Sequence, residues 1–157
     1  MNIREELEGE YMDVVFADSK FDNALIGIVE GFGIDPSPLY DKNKIFKKEL
    51  SNFDHFYIDG RKTVEEISEI EIKDGESDFL FPTGHNEDVI GVLSKKGCED
   101  TALYDREKVI ERMAADFIDE EDPYMDALEN YCFNFIGGYV GNKTWKCATL
   151  YVKYEQV

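Results

Sequence analysis

Apolar residues in this chain fall into short runs separated by acidic or Gly/Pro-bearing stretches, and one run occurs twice. Leu25, Ile28, Val29 and Phe32 lie at i, i+3, i+4 and i+7, the spacing of a helix with one buried face. Ser19 or Asp22 is placed to cap that helix, since a short polar side chain can accept the free amides of a first turn. The run returns 64 residues later: Ile26 maps to Ile90, Gly27 to Gly91, Gly33 to Gly97, and Leu39-Tyr40-Asp41 to Leu103-Tyr104-Asp105, with Lys44 on Lys108. An ungapped register through two glycines and a Leu-Tyr-Asp-x-x-Lys signature predicts a duplicated supersecondary unit.

The pattern predicts helix, strand, helix for each copy. Gly27 inside the first helix costs about 1 kcal/mol relative to Ala, so its recurrence as Gly91 implies that another group packs closely there. Gly33 and Gly97 stand where a helix ends in a left-handed residue. Two prolines, Pro36 and Pro38, then bar any helix and lead into a short strand at Pro38–Tyr40. Asp41 is expected to cap a helix over Lys42–Leu50, and Asp105 one over Arg106–Phe117.

Outside the copies, Asn2–Glu10 reads as a short amino-terminal helix and Tyr11–Phe16 as a strand or docking segment. Phe53–Ile58 has strand character and is followed by the turn signal Asp59-Gly60. Ile67, Ile70 and Ile72 suit a short helix or a strand, and the period leaves both open. Asn86 is a possible cap for the second unit. A further helix is expected from about Tyr124 into Asn130–Asn134, followed by a tight bend at Gly137, Gly138 and Gly141. Alternation of Leu150, Val152 and Tyr154 with polar neighbours predicts a closing strand. The expectation is an α+β fold, a duplicated helix-strand-helix unit around a small mixed sheet. It is one domain, with copies at about 21–50 and 85–117 and an acidic helix, Gly-rich turn and closing strand over 118–157.

Composition adds a charge anomaly to this outline. Among 157 residues 35 are acidic and 17 basic, a formal net charge of −18. Such a chain is expected not to bind DNA, RNA or anionic membrane directly, because those partners require counter-charge. An aromatic content of 13% is too high for a disordered acidic tail. Cys98, Cys132 and Cys147 show neither Cys-x-x-Cys spacing nor a nearby histidine, so reduced buried thiols are expected rather than disulfides or zinc. The charged amino terminus is no secretory signal and no apolar run approaches a bilayer span, so a soluble intracellular protein is expected.

The segment from Val89-Ile-Gly through Leu103-Tyr-Asp-Arg-Glu-Lys108, and on through Glu129-Asn-Tyr-Cys-Phe-Asn134 to Gly137-Gly-Tyr-Val-Gly141-Asn-Lys-Thr144, resembles a group of short tailed-phage proteins. They share a Tyr-Asp-x-x-Lys helix start, an acidic helix and an Asn-x-x-Gly-x-x-x-Gly turn. The chain departs from that pattern in its extra amino-terminal copy, in Asp119–Pro123 replacing a shorter turn, and in Trp145 at a position usually proline. The resemblance implies a viral or prophage origin, hence the cytoplasm of an infected bacterium, and no catalytic residues.

Candidate chemistry is sparse. His55, among Phe53, Phe56 and Tyr57, reads as a structural histidine, and His85 has no cysteine or glutamate motif beside it. The acids Asp116, Asp119, Glu120, Glu121, Asp122 and Asp126 lack the spacing of a calcium loop, so no metal and no cofactor is expected. Together with Glu65, Glu66 and Glu69 they are the candidate partner-binding residues, a negative face for a basic groove. The leading expectation is a non-enzymatic inhibitor of a host nucleic-acid-handling defence system, of the anti-CRISPR or anti-restriction type. Its partner would be a basic CRISPR effector or other nuclease. The alternatives are a small carboxylate- or metal-dependent enzyme and a self-associating assembly protein.

Overall fold

The computed structural model describes residues 3–31, 34–67, 85–97, 101–117, 121–131, 139–140, 143–144 and 147–151. Helix α1 spans Ile3–Glu10, followed by strands β1 (Leu25–Gly31) and β2 (Ile34–Asp41), the short helix α2 (Lys47–Leu50) and β3 (Phe56–Ile58). Then come β4 (Val89–Ser94), β5 (Thr101–Asp105), α3 (Arg106–Ala114), α4 (Pro123–Asn130), the two-stranded pair β6 (Tyr139–Val140) and β7 (Lys143–Thr144), and β8 (Cys147–Tyr151). The fold is α+β. Its mixed sheet curls shut as a barrel in the order β1-β2-β3-β4-β5-β8.

The helix expected over Leu25–Phe32 is instead β1 as far as Gly31, Phe32 lying outside the described residues, so the unit is not helix-strand-helix. Leu25 pairs with Tyr40 but Gly27 already with Leu39, a β-bulge that places two residues against one and resets the in-out alternation. Leu25 and Ile28 consequently lie on one side of the sheet, and Ile26 and Val29 in the cluster on the other. A bulged strand buried on both faces thus reproduces the three-residue spacing of a helix. The same shift recurs 64 residues on, where Val89 pairs with Tyr104 and Gly91 with Leu103. Each hairpin then leads through helical turns to a parallel neighbour, Leu39 against Phe56 and Leu103 against Ala148.

Other sequence expectations are met in part. Asp41 accepts the Asn43 N–H at 3.0 Å and Asp105 the Lys108 N–H at 3.2 Å, so both cap as expected. The helix after Asp105 runs to Ala114 and tightens into a 3₁₀ turn at Ala115–Phe117. The one after Asp41 breaks into a 3₁₀ turn, Lys42–Lys44, and α2. Asp18, not Ser19 or Asp22, caps the 3₁₀ turn Ser19–Ala24, and His85 rather than Asn86 occupies the cap position before β4. Gly97 has the expected left-handed backbone, at φ +81°, but in the turn after a strand rather than at a helix end. Tyr11–Phe16 forms no strand; Tyr11, Val14 and Phe16 dock on the core. Gly33, Ile70, Ile72, Cys98, Cys132, Gly137, Gly138, Gly141, Val152 and Tyr154 lie outside the described residues, as does the side chain of Cys147.

Three apolar clusters hold the barrel. Ile26, Val29, Leu39, Phe56, Ile58, Ile90, Leu93 and Leu103 pack together as one. Leu25, Ile28 and Tyr40 face the second, covered by Leu7 of α1, Ala17, Ile45 and Phe53. Ala102 and Tyr104 face the third, covered by Val109, Ile110 and Met113 of α3 and Ala127 and Tyr131. The buried Tyr40 hydroxyl accepts the Ala17 N–H at 2.9 Å, and burial pushes its phenol up to about 12. Tyr40→Phe strands that buried amide and is expected to cost about 1.5 kcal/mol, read as a lower urea midpoint with an unchanged slope.

At Gly91 the close packing expected from the sequence is present. An added Cβ would sit 3.0 Å from both the Gly60 carbonyl oxygen and Ile58 Cδ1, and Gly60 itself holds a left-handed turn at φ +68°, so this oxygen has little room to yield. Gly91→Ala is expected to destabilise the protein by about 2 kcal/mol. Thermal unfolding checks it, and a midpoint within a degree of the parent's contradicts it.

Candidate functional site: an acidic corner at the α3–α4 pair

The chain from Asp105 to Asn130 carries ten carboxylates against three basic residues. Local structure decides which of them reach solvent. In α3 the buried stripe is Val109, Ile110 and Met113; in α4 Ala127 is buried, with Tyr131 beyond it. Pro123 opens α4 where its missing N–H costs nothing, and the Asp122 carboxylate accepts the Met125 N–H at 3.2 Å. With those faces turned inward, Glu111, Asp116, Glu121, Asp122 and Glu129 are exposed and Asp126 is half-buried.

The nearby arginines are already engaged. Arg106 donates from Nε to Glu30 Oε1 and from Nη1 to Glu107 Oε1, both at 2.9 Å, while its guanidinium lies 5.5 Å from the centre of the Tyr131 ring. Burial disfavours the Arg106 charge, but Glu30 and the other anionic neighbours more than offset it, so its pKa lies above the ordinary value. Arg112 grips Asp88 with Nε to Oδ2 at 2.9 Å and Nη2 to Oδ1 at 3.0 Å, and reaches Glu87 at 3.5 Å. Asp88 is 1% exposed and also meets His85 Nδ1 at 3.1 Å. Burial pushes the Asp88 carboxyl up, yet the Arg112 and His85 bonds outweigh it and hold the group below its ordinary range. These pairs fix α3 to β1 and to the turn before β4. Among the described residues, Glu111, Asp116, Glu121, Asp122, Asp126 and Glu129 form no ion pair.

Two large apolar side chains stand among these acids: Tyr124, 42% exposed, and Met125, 50% exposed. The Tyr124 hydroxyl donates to Glu107 Oε2 at 3.3 Å, and burial of the ring, with Glu107 beside it, raises its pKa. Sequence reasoning missed this pair. The available signal was two adjacent apolar residues inside an acidic first turn, a position that helix periodicity alone assigns to the core.

Of the nine candidate residues, the structure brings Asp116, Glu121, Asp122 and Asp126 to this one corner, while Asp119, Glu120 and Glu69 lie outside the described residues. Glu65 and Glu66 belong to the helical turn 64–67, where Glu66 closes a reciprocal cap with Thr63 at 3.2–3.3 Å. That turn sits beside β4, since the Lys62 N–H donates to the Ile90 carbonyl. No hydrogen bond or ion pair among the described residues joins it to the α3–α4 corner.

His55 precedes β3 with its ring 5.9 Å from Tyr40 and 5.7 Å from Phe53, and burial lowers its pKa. Among the described residues no group of three or more His, Cys, Asp or Glu is disposed to hold a metal ion, and no helix is long and apolar enough to cross a membrane. No protein-family model matches the chain, and neither a curated protein nor a solved structure does.

Proposed function

We propose that the protein is a phage-encoded acidic binding protein that occupies the basic, nucleic-acid-binding surface of a host defence nuclease, of the CRISPR-effector or restriction type. The observation that carries this reading is the α3–α4 corner. Its exposed carboxylates share two packed helices and the adjoining turn with the exposed Tyr124 and Met125, and the local arginines are consumed by ion pairs. Carboxylates so placed stand in for phosphates against Lys and Arg, giving rapid, salt-sensitive encounter. Aromatic and methionine side chains supply the desolvated anchors that protein interfaces favour. Binding of this kind needs no catalytic group and acts in the cytoplasm of the infected cell by excluding DNA or guide-bound target.

Elsewhere a cleft of about 490 Å³ along Met12, Val14 and Pro36 sets the exposed carboxylates of Asp13 and Asp35 beside apolar surface, suited to the same kind of partner. The bulged hairpin and capping aspartate shared at an offset of 64, β1–β2 with Asp41 against β4–β5 with Asp105, are most simply explained by internal duplication, which builds such a scaffold from one small unit. The test is capture of partners by the tagged protein from a bacterial host lysate at about 50 and about 500 mM salt, where the screening length falls severalfold. Recovery of a DNA- or RNA-handling complex at low salt that is lost at high salt supports the reading. Recovery of a partner indifferent to salt, or of the protein alone, contradicts it.

A further inference from the structure

One strip of the surface reverses the polarity of the whole. Lys42–Lys48 carries four lysines and no acid, and between them Phe46 stands 74% exposed. The flanking acids are occupied: Asp41 caps the Asn43 N–H at 3.0 Å, Glu49 pairs with Lys20 at 2.9 Å, and Asp59 lies 3.6 Å from Lys42. Lys47 and Lys48 are exposed and form no ion pair among the described residues.

Lys48 also lines a cleft of about 410 Å³ between the Ser19–Ala24 turn and the segment leading into β3. Its walls include Phe21, Phe53, His55 and Asn52, with the Phe21 and Phe53 rings packed edge to face at 4.9 Å. Of the carboxylates that also line it, Asp18 accepts the Lys20 N–H and Glu49 holds the Lys20 ammonium. Asp54 lies exposed at the edge.

We propose that this cleft and strip together form a site for single-stranded nucleic acid. One base enters beside Phe21 and His55, with Asn52 and Asp54 at its polar edge. The adjoining phosphates lie against Lys47 and Lys48, and the next base stacks on Phe46. Aromatic platforms beside a lysine-lined path are how proteins hold single strands without reading sequence. The cleft volume falls in the range of small-ligand sites. A strand rather than a free nucleotide is favoured because the exposed Phe46 and Lys47 do not line the cleft, so a lone nucleotide leaves them unused. The net charge of −18 argues against nucleic-acid binding as a whole-surface average, but at physiological salt charges beyond about 8 Å are screened. The site is independent of the acidic corner, and its failure leaves the proposed function standing.

The test is fluorescence anisotropy of 5′-labelled octauridylate titrated with the full chain at about 50 mM salt. Saturable binding is expected, weakening with a logarithmic salt slope of about −1.4, the value for two phosphates neutralised on a single strand. Phe46→Ala should weaken it about 10-fold, the loss of one stacked base. K47E/K48E should abolish it, and both variants alter exposed positions that the fold does not use. The proposal is overturned by no binding at low salt, by binding unchanged in K47E/K48E, or by uridine monophosphate bound as tightly as the octamer. Binding to vesicles containing phosphatidylglycerol in place of the octamer also overturns it, because the lysine strip would then be a membrane contact.

Discussion

Replacing Tyr124 with Ala is expected to weaken capture of the partner about 30-fold, and the triple change Asp116→Asn, Glu121→Gln, Asp126→Asn to weaken it at least as much at low salt. The two losses have different physical origins. Truncating an anchor at a desolvated interface centre costs on the order of 2 kcal/mol, and that loss should persist as salt rises. Removing three carboxylates acts on encounter and long-range attraction, so its effect should fade as salt screens the contact. Asp122 is left intact in this design because its carboxylate caps α4, and its loss would confuse stability with binding. Surface plasmon resonance on the captured partner at two salt concentrations checks both. A Tyr124→Ala variant that binds like the parent removes the anchor from the account, and a triple variant with an unchanged salt slope removes the charge.

The largest stability effect is expected at the Asp88–Arg112 pair. Arg112→Ala leaves a carboxylate 1% exposed with His85 as its one remaining side-chain partner among the described residues, and a buried charge deprived of its cation is severely penalised. Arg112 is 43% exposed, so water moderates the loss, and about 2–3 kcal/mol at pH 7 is expected. That corresponds to roughly 4–12 °C in midpoint for a chain of this length. The pH dependence has a definite sign. The folded Asp88 carboxyl lies below its ordinary 3.8, so its stabilisation is full above that value and lost as pH falls through the folded pKa. The gap between parent and Arg112→Ala should therefore be large at pH 7 and shrink below pH 3.8, which urea unfolding at the two pH values reads directly. A gap constant with pH would mean that Arg112 contributes packing rather than charge.

The sequence displayed the parts of this fold that depend on local chemistry. Asp41 and Asp105 are legible as caps because a cap needs only an acid ahead of helix-forming residues, and the α3 stripe is legible because 3.6-residue spacing survives burial on one face. β1 is not legible by that rule. Its bulge at Ile26–Gly27 gives Leu25 and Ile28 one side and Val29 the other, and a pattern that counts apolar residues cannot distinguish this from a helix. The glycine that looked costly in a helix is at home in the bulge, and its counterpart Gly91 is required by Gly60 and Ile58.

At the candidate site, the acidity was visible but its partition was not. Arg112 and Asp88 are 24 residues apart, and Arg106 and Glu30 are 76 apart, so no local rule pairs them. Only the folded chain shows which carboxylates are neutralised from within and which face outward. The lysine strip at 42–48 was equally plain in the sequence and was hidden by averaging, because a net charge of −18 says nothing about where the positive residues gather.

Competition for the captured partner is the most direct test of the central claim that carboxylates here replace phosphates. The partner is titrated with duplex DNA at fixed, increasing concentrations of the protein, near physiological salt. If the two ligands share one basic surface, the apparent DNA affinity falls in proportion to added protein, no ternary complex forms, and the Tyr124→Ala variant shifts the curves about 30-fold to higher concentration. A stable complex containing protein, partner and DNA together would contradict the claim.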